Sequence, residues 1–88
     1  MKHPIRLEIC KLLDMHASLT TREIRDLLMQ SHPGEKQVYA ADEHVLSLRA
    51  VGIAELVEEW VEDAGEGEML MQRWRLTKFG REKYRKYW

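Results

Sequence analysis

Side chains able to ligate a metal or attack a substrate are few and scattered in this sequence. His3, Cys10, His16, His32 and His44 supply imidazole and thiol donors, but no two stand at a spacing familiar from zinc sites. Cys10 is the single cysteine, so it closes no internal disulfide; at the edge of an apolar stripe it reads as a small core residue. Gly65-Glu66-Gly67 is better explained as a hairpin turn than as a phosphate-cradling loop. The carboxylates between Glu55 and Glu68 alternate along an extended run and make no catalytic pair by spacing alone. A chain of 88 residues leaves no room for a pocket-forming second lobe, so the reading is a single domain over residues 1–88, not an enzyme, with no cofactor and no metal.

What remains is charge, and it is segregated. Residues 1–53 carry seven basic and seven acidic side chains. Residues 54–68 carry seven acids (Glu55, Glu58, Glu59, Glu62, Asp63, Glu66, Glu68) and no base, and residues 69–88 carry seven bases against Glu82 alone. The net charge of −1 is therefore a sum of −7 and +6 on neighbouring segments, not a mixture. No apolar run approaches the length of a membrane span, no signal-peptide stretch is present, and the lone cysteine suits a reducing compartment, so a cytoplasmic protein is expected.

The elements that must position these charges follow from periodicity. Ile5, Ile9, Leu12 and Leu13 give one buried stripe of a first helix opened by Pro4, with His16 continuing the stripe and Leu7 on the far side. Thr20 and Glu23 form a capping box for a second helix that buries Ile24, Leu27 and Leu28. After the turn Ser31-His32-Pro33-Gly34, the positions Val38, Ala41, Val45 and Leu48 predict a third helix over about 35–51, capped by Gly52. Two strands, 53–63 and 68–76, flank the turn Ala64-Gly65-Glu66-Gly67. Pairing Asp63 with Glu68 sets Val61 opposite Leu70 and Val57 opposite Trp74 on the side expected to meet the core. On the other side Glu58 pairs with Arg73, Leu56 with Arg75, and Trp60 lies beside Met71, facing away from the core. Thr77 caps a last helix over about 77–88, with Gly80, Tyr84, Tyr87 and Trp88 on one side and Lys78, Arg81 and Arg85 on the other.

Three helices, a hairpin and a final helix in this order resemble a winged helix-turn-helix domain: an α+β fold with a two-stranded wing at about 53–76, a short third strand at most, and a C-terminal helix. His3-Pro4-Ile5-Arg6-Leu7-Glu8-Ile9 followed by Leu12-Leu13 resembles the opening of arsenic-repressor (ArsR-type) regulators. Leu48-Arg49-Ala50-Val51-Gly52-Ile53 resembles the end of a recognition helix. Arg75-Leu76-Thr77-Lys78-Phe79-Gly80-Arg81-Glu82 is similar to the segment leaving the wing in MarR-type and PadR-type regulators. The metal-sensing cysteine pair of arsenic repressors is missing.

The resemblance implies a transcriptional regulator, a symmetric homodimer that binds double-stranded DNA with its third helix in the major groove and its wing on flanking phosphates. Carried over by position, the reading side of the third helix is Lys36, Gln37, Tyr39, Ala40, Glu43, His44 and Ser47. Arg22 and Arg25 on the second helix, with Arg73, Lys78 and Arg81, add phosphate contacts. Asp42 and Glu43 in that helix, and an acidic wing tip, run against a DNA-reading face. A second reading is therefore a winged-helix module that docks a protein partner and has no useful DNA affinity. Its candidate surface is Trp60 and Met71 on the wing with the C-terminal aromatics Tyr84, Tyr87 and Trp88.

Overall fold

In the computed structural model, which describes residues 4–63 and 65–87 with only the backbone of Tyr87, the first apolar stripe closes as helix α1 (Ile5–Met15). Ile5, Ile9, Cys10 and Leu13 are buried along it. His16 does not continue the stripe. It is the C-cap, extended at φ −120 and ψ 144, and loss of helical phase turns its ring to solvent. Leu19–Thr20 then forms a two-residue strand, β1.

Helix α2 (Thr21–Ser31) starts at the expected capping box: the Glu23 N–H donates to Thr20 Oγ1 at 3.1 Å, and the Thr20 N–H donates to Glu23 Oε1 at 2.9 Å. The backbone bond from Thr20 is the main cause holding the Glu23 carboxyl below its usual range. The third helix is shorter than expected. Lys36–Ala40 winds as a 3₁₀ turn, and α3 runs only Ala41–Ala50. The three-residue period places Val38 and Ala41 on one side, and both reach the core. At the far end Gly52, at φ 79, closes the helix as expected. Its N–H donates to the Arg49 carbonyl at 3.0 Å and the Ile53 N–H to that of Leu48 at 2.9 Å.

Strands β2 (Ala54–Asp63) and β3 (Glu68–Leu76) form the hairpin, and β1 pairs with β3, giving the antiparallel order β1-β3-β2. From Asp63↔Glu68 down to Glu58↔Arg73 the register is the expected one; a bulge at Val57 then shifts it, so that Leu56 pairs with Trp74 and Glu55 with Arg75. The expected pairs Val57–Trp74 and Leu56–Arg75 are absent. The extra residue bends the strand so that Leu56, not Val57, packs beside Trp74 against the core, and Val57 is left exposed.

The side expected to be buried is covered only at its base. Trp74 is 1% exposed, but Val61 at 56% and Leu70 at 57% project past the end of the core. Met71, expected to face solvent, is 9% exposed; it sits on the central strand β3 opposite Trp60 and lines a groove between β3 and α2.

The last helix, α4 (Lys78–Tyr84), is seated by one residue. The Thr77 hydroxyl donates to the Gly52 carbonyl at 2.6 Å and accepts from the Gly80 N–H at 2.9 Å, while the Thr77 N–H donates to the Ile53 carbonyl at 2.9 Å. Four α-helices and a three-stranded sheet thus enclose one core around Ile9, Leu13, Ile24, Leu28, Val45, Ile53 and Trp74. No helix among the described residues is long and apolar enough to cross a membrane.

Candidate functional site

The eight arginines divide by what they touch, and the division locates the candidate site. Arg73 Nε donates to Glu58 Oε1 at 2.9 Å, its Nη1 lies 3.8 Å from Glu23 Oε1, and its guanidinium sits 5.6 Å from the Trp60 ring. Arg75 pairs with Glu55. Arg81 Nε and Arg85 Nη2 converge on Asp14 Oδ1 at 3.0 and 3.3 Å. Partial burial raises the Asp14 carboxyl, but hydrogen bonds and charge from Arg85, then Arg81, outweigh it and leave the group below the ordinary carboxylate range. Arg6 Nε donates to His44 Nδ1 at 3.3 Å and its Nη2 to Ser47 Oγ at 3.4 Å. Arg49 lies 6.0 Å from the Trp74 ring.

Only Arg22 and Arg25 are left without a carboxylate, a hydroxyl or a ring among the described residues. Both line a groove of about 660 Å³ between α2 and β3, open beside Asp42 in the first turn of α3. Arg25 Nε is buried there with no hydrogen-bond partner, so part of a charged donor has been taken from water without compensation. Asp26 and Asp42 share the groove and temper its potential. The 3₁₀ turn packs against α2, runs into α3 and presents Lys36, Gln37 and Tyr39 to solvent, with Ala40 half-buried behind them.

Of the residues expected from the sequence, Arg22, Lys36, Gln37, Tyr39 and Lys78 therefore stand open, and Arg25 is half-buried. His44 and Ser47 do not: both turn toward α1, where Arg6 holds them, and the outward face of α3 is Asp42, Glu43, Leu46, Arg49 and Ala50. Arg73 and Arg81 are tied to carboxylates within the chain. On the candidate partner surface, Met71 is buried, Trp60 is half-buried and donates through Nε1 to Glu62 Oε1 at 3.0 Å, and Tyr84 packs partly against the core. Trp88 and the Tyr87 side chain lie outside the described residues.

Sequence reasoning missed Arg6, whose partners are 38 and 41 residues away with no local pattern to announce them. It also missed Asp14, which anchors two arginines of the basic C-terminal segment. Among the described residues no group of three or more His, Cys, Asp and Glu side chains is placed to hold a metal ion. Burial pushes the Cys10 thiol up to about 11, the environment of an unreactive core residue. Compared with models of known protein families, with curated proteins and with solved structures, the chain shows no match.

Two guanidinium groups without a partner among the described residues, in an open groove beside the first turn of α3, can bind oxyanions through paired N–H donors. Gln37 and Lys36 add donors, and Tyr39 adds a hydroxyl on a rigid arm.

Proposed function

We propose that this chain is a winged helix-turn-helix transcriptional regulator that binds duplex DNA through the groove of Arg22 and Arg25 and the leading end of α3. The element order and the β1-β3-β2 sheet support the fold reading. One observation carries the function: the arginines that the fold leaves unpartnered are the two beside the start of α3, where a recognition helix lies against the DNA backbone.

In this reading Arg22 and Arg25 take phosphates on one strand and Lys36 takes a third. Gln37 and Tyr39 lead into the major groove, in place of His44 and Ser47. The hairpin tip, with Asp63, Glu66 and Glu68, stands off the backbone.

Three phosphate contacts give a slope of about −2.7 in log K against log salt, a loss of roughly 40-fold between about 50 and about 200 mM. Fluorescence anisotropy on a mixed-sequence duplex reads both numbers. Arg22→Ala with Arg25→Ala is expected to reduce the slope to about −1 and weaken binding at least about tenfold at the lower salt. The competing reading, a protein-docking module without DNA affinity, draws on the acidic hairpin with Val61 and Leu70 exposed. Absence of binding at the lower salt would leave that reading standing and remove this one.

A further inference from the structure

Val61 and Leu70 are direct cross-strand partners, and both are more than half exposed. Two rungs away on either side, Glu59↔Gln72 and Asp63↔Glu68 put carboxylates around this apolar pair. Of the seven acids between residues 54 and 68, Glu55 and Glu58 are neutralised by Arg75 and Arg73. Glu59, Glu62, Asp63, Glu66 and Glu68 face no cation among the described residues. The outer half of the hairpin is thus an apolar spot bordered by unneutralised carboxylates, which a basic, partly apolar surface fits.

The same chain carries such a surface. Phe79, the second residue of α4, is 53% exposed, and Lys83 Nζ lies 5.5 Å from its ring. Lys78 is its exposed neighbour, and exposed Val51 precedes Gly52, whose Cβ position falls 4.0 Å from the Phe79 ring. The two surfaces of one molecule cannot meet. Leu70 is six residues up β3 from Leu76, where the chain enters α4, which places it about 20 Å away along an extended strand.

We propose that the Val61–Leu70 face of the hairpin docks on the Val51–Phe79 patch of a second copy, with Lys78 and Lys83 set against the hairpin carboxylates. The contact is heterologous: each copy offers a hairpin to one neighbour and an α4 surface to another, so copies associate head to tail. It uses neither guanidinium of the Arg22–Arg25 groove, although Leu70 borders that groove, so its test is made without DNA.

Sedimentation velocity on the full chain, without DNA, tests it. At about 50 mM salt the wild type is expected to show an average mass that rises with concentration, and association weakens about tenfold at about 500 mM, where the charges are screened. Val61→Thr with Leu70→Thr preserves strand propensity and disables the hairpin; Phe79→Ser with Lys83→Gln disables the α4 patch. Each double variant alone is expected to be monomeric, and an equimolar mixture forms a one-to-one dimer and grows no further. A wild type that stays monomeric at low salt and high concentration overturns the proposal. So does self-association that persists in either variant, or a mixture that remains monomeric. Should one variant fail to fold by circular dichroism, the salt dependence of the wild type and the loss of association in the other variant decide the matter.

Discussion

Gly80→Ala is the substitution for which local propensity and tertiary structure disagree most. In a helix interior alanine is favoured over glycine by about 1 kcal/mol, so α4 taken alone predicts stabilisation. The structure predicts the reverse. A Cβ at Gly80 would lie 2.3 Å from the Ile53 carbonyl oxygen and 3.0 Å from Ile53 C and Cα. Reaching ordinary van der Waals contact at 3.4 Å requires about 1 Å of separation, since 3.4 − 2.3 = 1.1. That carbonyl accepts from the Thr77 N–H at 2.9 Å, a bond that would stretch beyond useful range. One bond at about 1 kcal/mol, with about 2 kcal/mol of overpacking and the 1 kcal/mol gain subtracted, leaves a net destabilisation of about 2 kcal/mol. For a domain of this size that lowers Tm by roughly 8–16 °C. Thermal unfolding followed by circular dichroism, with a urea titration to confirm an unchanged m-value, measures it. An alanine variant as stable as the wild type would show that α4 is not seated on the Ile53 turn.

Two further substitutions test other joints of the fold. Leu56→Ala is expected to destabilise by about 1–2 kcal/mol while Val57→Ala stays within about 0.5 kcal/mol, because the bulge gives Leu56 the place beside Trp74; equal effects in urea unfolding would restore the regular register. Asp14→Asn removes the anchor of Arg81 and Arg85. Since the folded carboxyl lies below its unfolded value, its contribution is present above the unfolded pKa near about 4 and is lost as pH falls through the folded one. The variant should therefore be less stable than wild type by about 1 kcal/mol at pH 7, with the gap closing in acid; a gap constant from neutral pH into strong acid refutes the ion-pair account.

The local rules that were legible in the sequence are those whose partners lie within a few residues. Thr20 and Glu23 satisfy each other across three positions, the Thr77 hydroxyl accepts from the Gly80 N–H across the same spacing, and the Gly52 closure needs only its own positive φ. The hairpin register near the tip follows from the turn for the same reason. What was not legible depends on where the core ends. Alternation places Val61 and Leu70 on the side of Trp74, but it says nothing about how far along the strands the core extends, and both stay more than half exposed. The bulge at Val57 answers to the position of Trp74 against Thr21, whose hydroxyl accepts from Trp74 Nε1 at 2.9 Å across 53 residues. For the candidate site, Arg22, Arg25, Lys36, Gln37 and Tyr39 come from the sequence by position in the winged-helix resemblance, and the last three stand on a 3₁₀ turn that the helical spacing does not announce. That His44 and Ser47 meet Arg6 could not be read from it, because that contact joins two helices about 40 residues apart.

The acidity of β2 has two physical explanations, and they combine into one expectation. As the outer strand of the sheet, β2 leaves a row of backbone donors and acceptors open to another strand, and a run of carboxylates guards such an edge. Two hairpins approaching edge to edge would bring together Glu59, Glu62 and Asp63 from both copies, and that encounter is repulsive. The guard does not act against a basic surface. Lys78 and Lys83 beside Phe79 meet the same carboxylates with attraction, and Val61 with Leu70 supplies the apolar contact that charges alone do not make durable at physiological salt. The charge segregation in the sequence therefore selects between modes of self-association: it forbids hairpin against hairpin and permits hairpin against α4. Raising the salt should relax the prohibition and the attraction together, so high salt is expected to yield monomers rather than a switch to edge-paired dimers, because Val61 and Leu70 alone form too small a patch to hold one.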